Sequence, residues 1–187
     1  MSTIRAFIAI ELSDEARAVL ADVGETLAHE APREGVKWVD PDRMHLTLRF
    51  LGDTAVERIP DLATAMDEVG GQFEPFTLIL DSLGCFPNER KPRVVWVGVQ
   101  GDVSQVEALS ASLNRVLEPL GWEAETRSFR AHLTLGRVKD RRGGIVLPWG
   151  KRVAPAQTRV HEIVLFESRL EPEGPFYIVR HRSELHD

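Results

Sequence analysis

The segment Met44-His45-Leu46-Thr47-Leu48-Arg49-Phe50-Leu51 contains a tetrapeptide, His45-Leu46-Thr47-Leu48, that returns unchanged as His132-Leu133-Thr134-Leu135. One copy would read as an ordinary half-buried strand. Two identical copies in a chain of 187 residues with six histidines imply two similar lobes, each contributing one such strand. Side chains of a strand alternate between its faces. Leu46 and Leu48 therefore share one face, as do Leu133 and Leu135, and can pack against helices. Each His–Thr pair lies on the opposite face. If the two strands face one another, two imidazoles and two hydroxyls converge on one small volume.

That set suits a phosphodiester. An imidazole with a pKa near 6.5 can be a neutral base or a protonated acid at physiological pH. One histidine can take a proton from attacking water while the other gives one to the leaving sugar oxygen. Threonine hydroxyls can donate to the non-bridging phosphate oxygens, where negative charge must be stabilised. Strand alternation places Arg130, two residues before His132, on the same face, where it would add charge-assisted contacts. A net charge of −6 argues against a general nucleic-acid binder. The charge is uneven, however: Arg127 to Arg152 holds eight basic residues and the single acidic Asp140.

Working outward, residues 4–10 read as a buried strand and Ser13 as the N-cap of a helix reaching about His29, with Pro32 and Gly35 as its breakers. Short strands are expected at Val36–Val39 and Met44–Leu51. Thr54 and Glu57 form a capping-box signature for a second helix, with Pro60 in its first turn and Gly70-Gly71 at its end. Strands follow at Phe76–Leu83 and Arg93–Val99. Asp102 opens a third helix with Val106, Leu109, Leu113, Val116 and Leu117 on its apolar face. Phe129–Val138, Val160–Phe166 and Phe176–His181 complete the strands. Runs of adjacent strands between helices favour α+β with antiparallel sheets over a doubly wound parallel sheet.

Composition is that of a globular protein, 43% hydrophobic and 28% charged. No apolar run approaches the ~20 residues needed to cross a bilayer, so no membrane association is expected. The N-terminus lacks a signal-peptide pattern. The single cysteine, Cys85, admits neither an intramolecular disulfide nor a cysteine-pair zinc site, which fits a reducing cytoplasm. Trp38, Trp96, Trp122 and Trp149 are read as core residues first and base-stacking platforms second.

The two motifs resemble those of the two-histidine (2H) phosphoesterase superfamily. More narrowly, the chain is similar to the bacterial and archaeal RNA 2′,3′-cyclic phosphodiesterases, also called 2′-5′ RNA ligases. The likeness runs through Arg5 to Ile10, Val36 to Val39, His45 to Gly52, Phe86-Pro87, Pro92 to Val99, Phe129 to His132 and Leu165 to Ser168. It implies an α+β fold of two pseudo-symmetric lobes, each an antiparallel sheet with helices outside, around a central cleft. Residues 1–187 would form one bilobal domain with no separable linker. It implies hydrolysis of RNA 2′,3′-cyclic phosphate ends to 2′-phosphomonoesters with neither metal nor other cofactor, and reversal to a 2′-5′ ligation. By the same analogy His45 protonates the leaving 3′-oxygen and His132 activates water, although the residues alone do not separate these roles. The family also contacts substrate five residues after each histidine, here Phe50 and Arg137. Alternation turns both away, so that role requires a bulge or a strand end, and Gly136 offers one for Arg137. Family members often carry proline where this chain has Ala131, which bears on local rigidity.

Rival readings are a metal hydrolase, a non-catalytic RNA-end-binding module, and the same chemistry on another small cyclic phosphate. Against the first, His-Glu-x-x-His spacing is absent and His29, His161, His181 and His186 are scattered. Against the second, neither an RNP-type aromatic motif nor a Gly-rich KH loop is present. Because the motif is duplicated within one chain, a monomer suffices to assemble the site.

Overall fold

The computed structural model describes residues 2–31, 35–139, 145–172 and 174–186. Pro32, Asp140, Arg141 and Arg142, invoked above as helix breaker and basic loop, lie outside the described residues. Two antiparallel sheets form the molecule. The first has the order β3-β1-β8-β9, from His45–Ala55, Thr3–Glu11, Glu162–Glu171 and Gly174–Glu184. The second has the order β2-β6-β5-β4-β7, from Val36–Trp38, His132–Val138, Val94–Gly101, Phe76–Phe86 and Gln157–Val160. All neighbouring strands pair antiparallel. The fold class is thus α+β, as the strand order implied.

Neither sheet is continuous in sequence. The chain passes from the first sheet to the second and back before each is complete. Of the helices α1 (Asp14–Glu30), α2 (Ile59–Gly70) and α3 (Val103–Leu117), α2 stays on the first sheet, against β8 and β9, and the other two cross over. Helix α1 follows β1 yet packs on β2 and β7 of the second sheet, while α3 follows β5 yet packs on β3 of the first. Ser13 caps α1 by accepting from the Ala16 amide at 3.1 Å, with Asp14 and Glu15 favourably placed in the first turn.

The leucines of both repeats are buried in one core that also holds Leu20, Leu62, Leu109 and Leu113. Leu46 and Leu133 line the same small interior gap of about 10 Å³, so the apolar faces of the two motif strands meet. Among the described residues no helix is long and apolar enough to cross a membrane.

Three local expectations change. Thr54 and Glu57 do not cap a helix: Thr54 is buried in β3, where β1 pairing continues as far as Ala55, and α2 begins at Ile59 with Pro60 in its first turn. β-Branched Thr54 finds more in the ladder than at a cap. The strand expected from Phe129 begins at His132, so Arg130 precedes it. The expected strand Val160–Phe166 is two strands in different sheets, β7 ending at Val160 and β8 beginning at Glu162. His161 is the crossing point.

Candidate active site

His45 and His132 open β3 and β6. Each is fixed by the same device: Nδ1 lies 2.9 Å from the Arg43 carbonyl oxygen in one case and 2.6 Å from the Arg130 carbonyl oxygen in the other. A carbonyl only accepts, so Nδ1 carries the hydrogen in both rings and Nε2 is left for chemistry. Aromatic rings hold the imidazoles in place. Phe7 stacks on His45 at 4.7 Å and Tyr177 meets it edge-on at 5.3 Å. Phe86 meets His132 edge-on at 4.9 Å, with Trp96 at 6.3 Å.

The register shows how the flanking residues reach the same face. Cross-strand partners share a face, and Glu11↔His45, Ala9↔Thr47 and Phe7↔Phe50 are partners. Between Thr47 and Phe50 the ladder shifts by one residue at Leu48, a bulge that restores Phe50 to the face of His45 and Thr47. The second strand repeats the device. Gly98↔His132 and Trp96↔Thr134 are followed, after a shift at Leu135, by Val94↔Arg137. Arg137 therefore shares the face of His132 and Thr134. Gly136, next to the bulge, has no room for a side chain, since a Cβ there would stand 2.6 Å from the Val36 side chain. The bulge that Phe50 and Arg137 required is present in both lobes.

Burial pushes the His45 pKa down to about 4, only partly opposed by the bond to the Arg43 carbonyl, and Arg17 lowers it further. Burial also lowers His132, aided by the charges of Arg137 and Arg130, against the Arg130 carbonyl bond. Tyr177 is pushed up by burial, while Arg43 and Arg137 pull it the other way. Arg137, from the second sheet, thus acts on both His132 and Tyr177, and Tyr177, from the first, packs on His45. The reach of one arginine's charge to rings of both sheets is consistent with the two His–Thr faces lining one cleft. The charges acting on these three titrating rings all come from arginines, a locally positive field within a chain of net charge −6.

Arg130 is exposed, with its guanidinium 5.7 Å from the Phe86 ring centroid. Thr47 and Thr134 are half-buried on the cleft face. Arg43 was not singled out from sequence, although a signal existed. The repeat extends two residues back, Arg43-Met44-His45 matching Arg130-Ala131-His132. Phe7, Phe86 and Trp96 lie in stretches that carry the family likeness and Tyr177 does not, but only the pairing of distant strands brings the four rings to the imidazoles. Among the described residues no three His, Cys, Asp or Glu side chains gather as metal ligands.

A family model described as LigT like Phosphoesterase matches twice, over residues 10–96 and 97–177, one motif in each match. A protein of Archaeoglobus fulgidus named RNA 2′,3′-cyclic phosphodiesterase is 33% identical over 177 residues, 93% of this chain and 96% of its own. A protein of the same name from Thermus thermophilus is 32% identical, over 97% of this chain and 90% of its own. The crystal structure of TT0787 of Thermus thermophilus superposes with a TM-score of 0.80 at 30% identity, covering 97% of this chain and 98% of that one. That of E. coli LigT complexed with 3′-AMP gives a TM-score of 0.81 at 25% identity over the whole of both chains.

Proposed function

The chain belongs to the LigT-like phosphoesterase family, and from that premise we propose that it hydrolyses the 2′,3′-cyclic phosphate end of an RNA to a 2′-phosphomonoester, with His45 and His132 as acid and base. The observation that supports the reading most is the matched pair of Nδ1 bonds to the carbonyls of Arg43 and Arg130, which leaves two Nε2 atoms as the reactive nitrogens of an arginine-lined cleft.

In the proposed reaction water attacks the phosphorus and His132 Nε2 takes its proton. The P–O3′ bond breaks, and His45 Nε2–H protonates the departing O3′. Thr47 and Thr134 donate to the non-bridging oxygens, while Arg130 and Arg137 neutralise the phosphate. Phe50, two-thirds exposed on the cleft face, offers a ring to the base. With an RNA 5′-hydroxyl in the reverse direction, the same steps join ends through a 2′-5′ bond. No step calls for a metal ion or other cofactor. In this reading residues 1–187 act as one bilobal monomer, and an RNA substrate with a lone Cys85 fits a reducing cytoplasm.

The test is an RNA ending in a 2′,3′-cyclic phosphate, incubated with protein in EDTA and read by mass spectrometry and phosphatase sensitivity. A 2′-phosphate is expected from the wild type. His45→Ala and His132→Ala should each lower kcat by ~10²–10⁴-fold, the usual worth of a positioned proton-transfer group. Turnover untouched by both substitutions would overturn the assignment.

A further inference from the structure

A second groove, about 430 Å³, runs along the outer edge of β3, lined by Arg49, Phe50, Asp53, Arg58, Trp122 and Glu123 among others. Because β3 has a sheet neighbour on one side only, this edge is open to a ligand. The groove begins where the cleft ends. Phe50 lines it, and the Phe50 ring lies 6.2 Å from Phe7, the ring stacked on His45.

Its floor holds a cation with spare bonding capacity. Arg49 is only 8% exposed, and among the described residues its Nε has no hydrogen-bond partner. One terminal nitrogen donates to the Glu123 carbonyl, and the other faces the Glu125 carboxylate at a loose 3.9 Å. Glu125 is 47% exposed and so is a displaceable counter-ion. A second cation, Arg58, lies over one face of the half-buried Trp122 ring at 4.7 Å, held there by the exposed Asp61 carboxylate at 3.3 Å and by the Leu120 carbonyl. Arginines beside aromatic rings are the apparatus by which single-stranded nucleic acid is held, phosphate on guanidinium and base on ring.

We propose that this groove is the subsite for the RNA strand upstream of the reacting end, with a phosphodiester displacing Glu125 from Arg49 and a base against Phe50 or Trp122. The inference rests on the function proposed above. If the cyclic phosphate is the 3′ end, all remaining RNA extends from its 5′ side. Arg49 pairs with Ile8 on the other face of β3 from His45, at most about 13 Å along the strand at ~3.3 Å per residue, so a strand leaving the cleft reaches it around the open edge and the terminal phosphate does not. Asp53 and Glu123 at the rim disfavour a general polyanion and leave room for one or two phosphates seated on the arginines.

The test compares kcat/KM for a nucleoside 2′,3′-cyclic monophosphate with that for a trinucleotide ending in the same group. The wild type is expected to favour the trinucleotide at least tenfold. Arg49→Met and Arg58→Ala should each lose most of that advantage through KM, their loss on the trinucleotide exceeding that on the mononucleotide. Glu125→Gln, which frees Arg49, should widen it, and with Arg58→Ala this variant decides the matter if Arg49→Met does not fold. Turnover of the mononucleotide without a length advantage, or an advantage unchanged in these variants, would overturn the subsite alone. Turnover of neither substrate would overturn the function and the subsite with it.

Discussion

Each imidazole of the cleft is locked in one tautomer by a backbone carbonyl and depressed in basicity by burial among rings and arginines. At neutral pH the free protein therefore holds both histidines uncharged. The base is ready, and the acid must gain a proton. A bound phosphate supplies the negative charge that makes this uptake favourable, so the proton arrives with the substrate. Since kcat/KM reports the free protein's groups, it should rise as pH falls from 8 toward 6.5, approaching tenfold per unit, and level off once the base itself takes up a proton. The kcat profile, set by the complex, should be displaced to higher pH. A phosphodiester monoanion does not titrate in this range, so steady-state kinetics at constant ionic strength read the protein alone. A kcat/KM flat between pH 8 and 6 would contradict the account. Thr47→Val and Thr134→Val keep shape and remove one donor each, and should lower kcat about 10²-fold with little change in fold.

Between strands, single-residue shifts decide which side chains meet. Strict alternation aims Phe50 and Arg137 away from the histidines, and the bulges at Leu48 and Leu135 reverse this in the two lobes alike. Sequence made the need for a bulge legible through Gly136, but not its position, because a bulge depends on the partner strand. The paired His–Thr strands and the antiparallel sheets were readable from the repeat and from strand order. The long β8–β9 hairpin was underestimated at both ends, its polar outer residues giving no apolar signal. A further close fit lies at Gly84, whose Cβ would stand 2.3 Å from the Trp96 ring. Trp96 cannot yield without disturbing Phe86 at 5.1 Å and, through both rings, His132. Gly84→Ala should therefore cost ~1–3 kcal/mol in chemical denaturation and also lower kcat on the cyclic phosphate. A stable Gly84→Ala protein with full activity would show that the ring wall does not position His132.

Over the whole molecule, the crosswise helices and interleaved sheets tie both lobes into one core, so the charge state of the cleft is felt in global stability. His45 titrates near 6.5 when unfolded and near about 4 when folded. As pH falls below 6.5 the unfolded chain takes up a proton that the folded chain refuses, and stability is lost progressively until about pH 4. His132, also lowered, acts with the same sign. The carboxylate of Glu167 behaves differently. Burial raises it, yet bonds from Arg169 and Arg180 at 2.6 and 2.7 Å carry it below its ordinary value. Its contribution is present above the unfolded carboxylate pKa and fades only at lower pH, so between pH 7.5 and 4.5 it enters only at the acid end, and equally with or without His45. Across that interval His45 alone should remove ~2–3 kcal/mol. His45→Gln has no proton to exchange and should lose correspondingly less, whatever its stability at pH 7.5. Urea denaturation of both proteins at the two pH values measures the difference of differences. Equal losses would mean that the imidazole is as free to charge in the fold as in water, and the buried neutral imidazole proposed for this cleft would have to be given up.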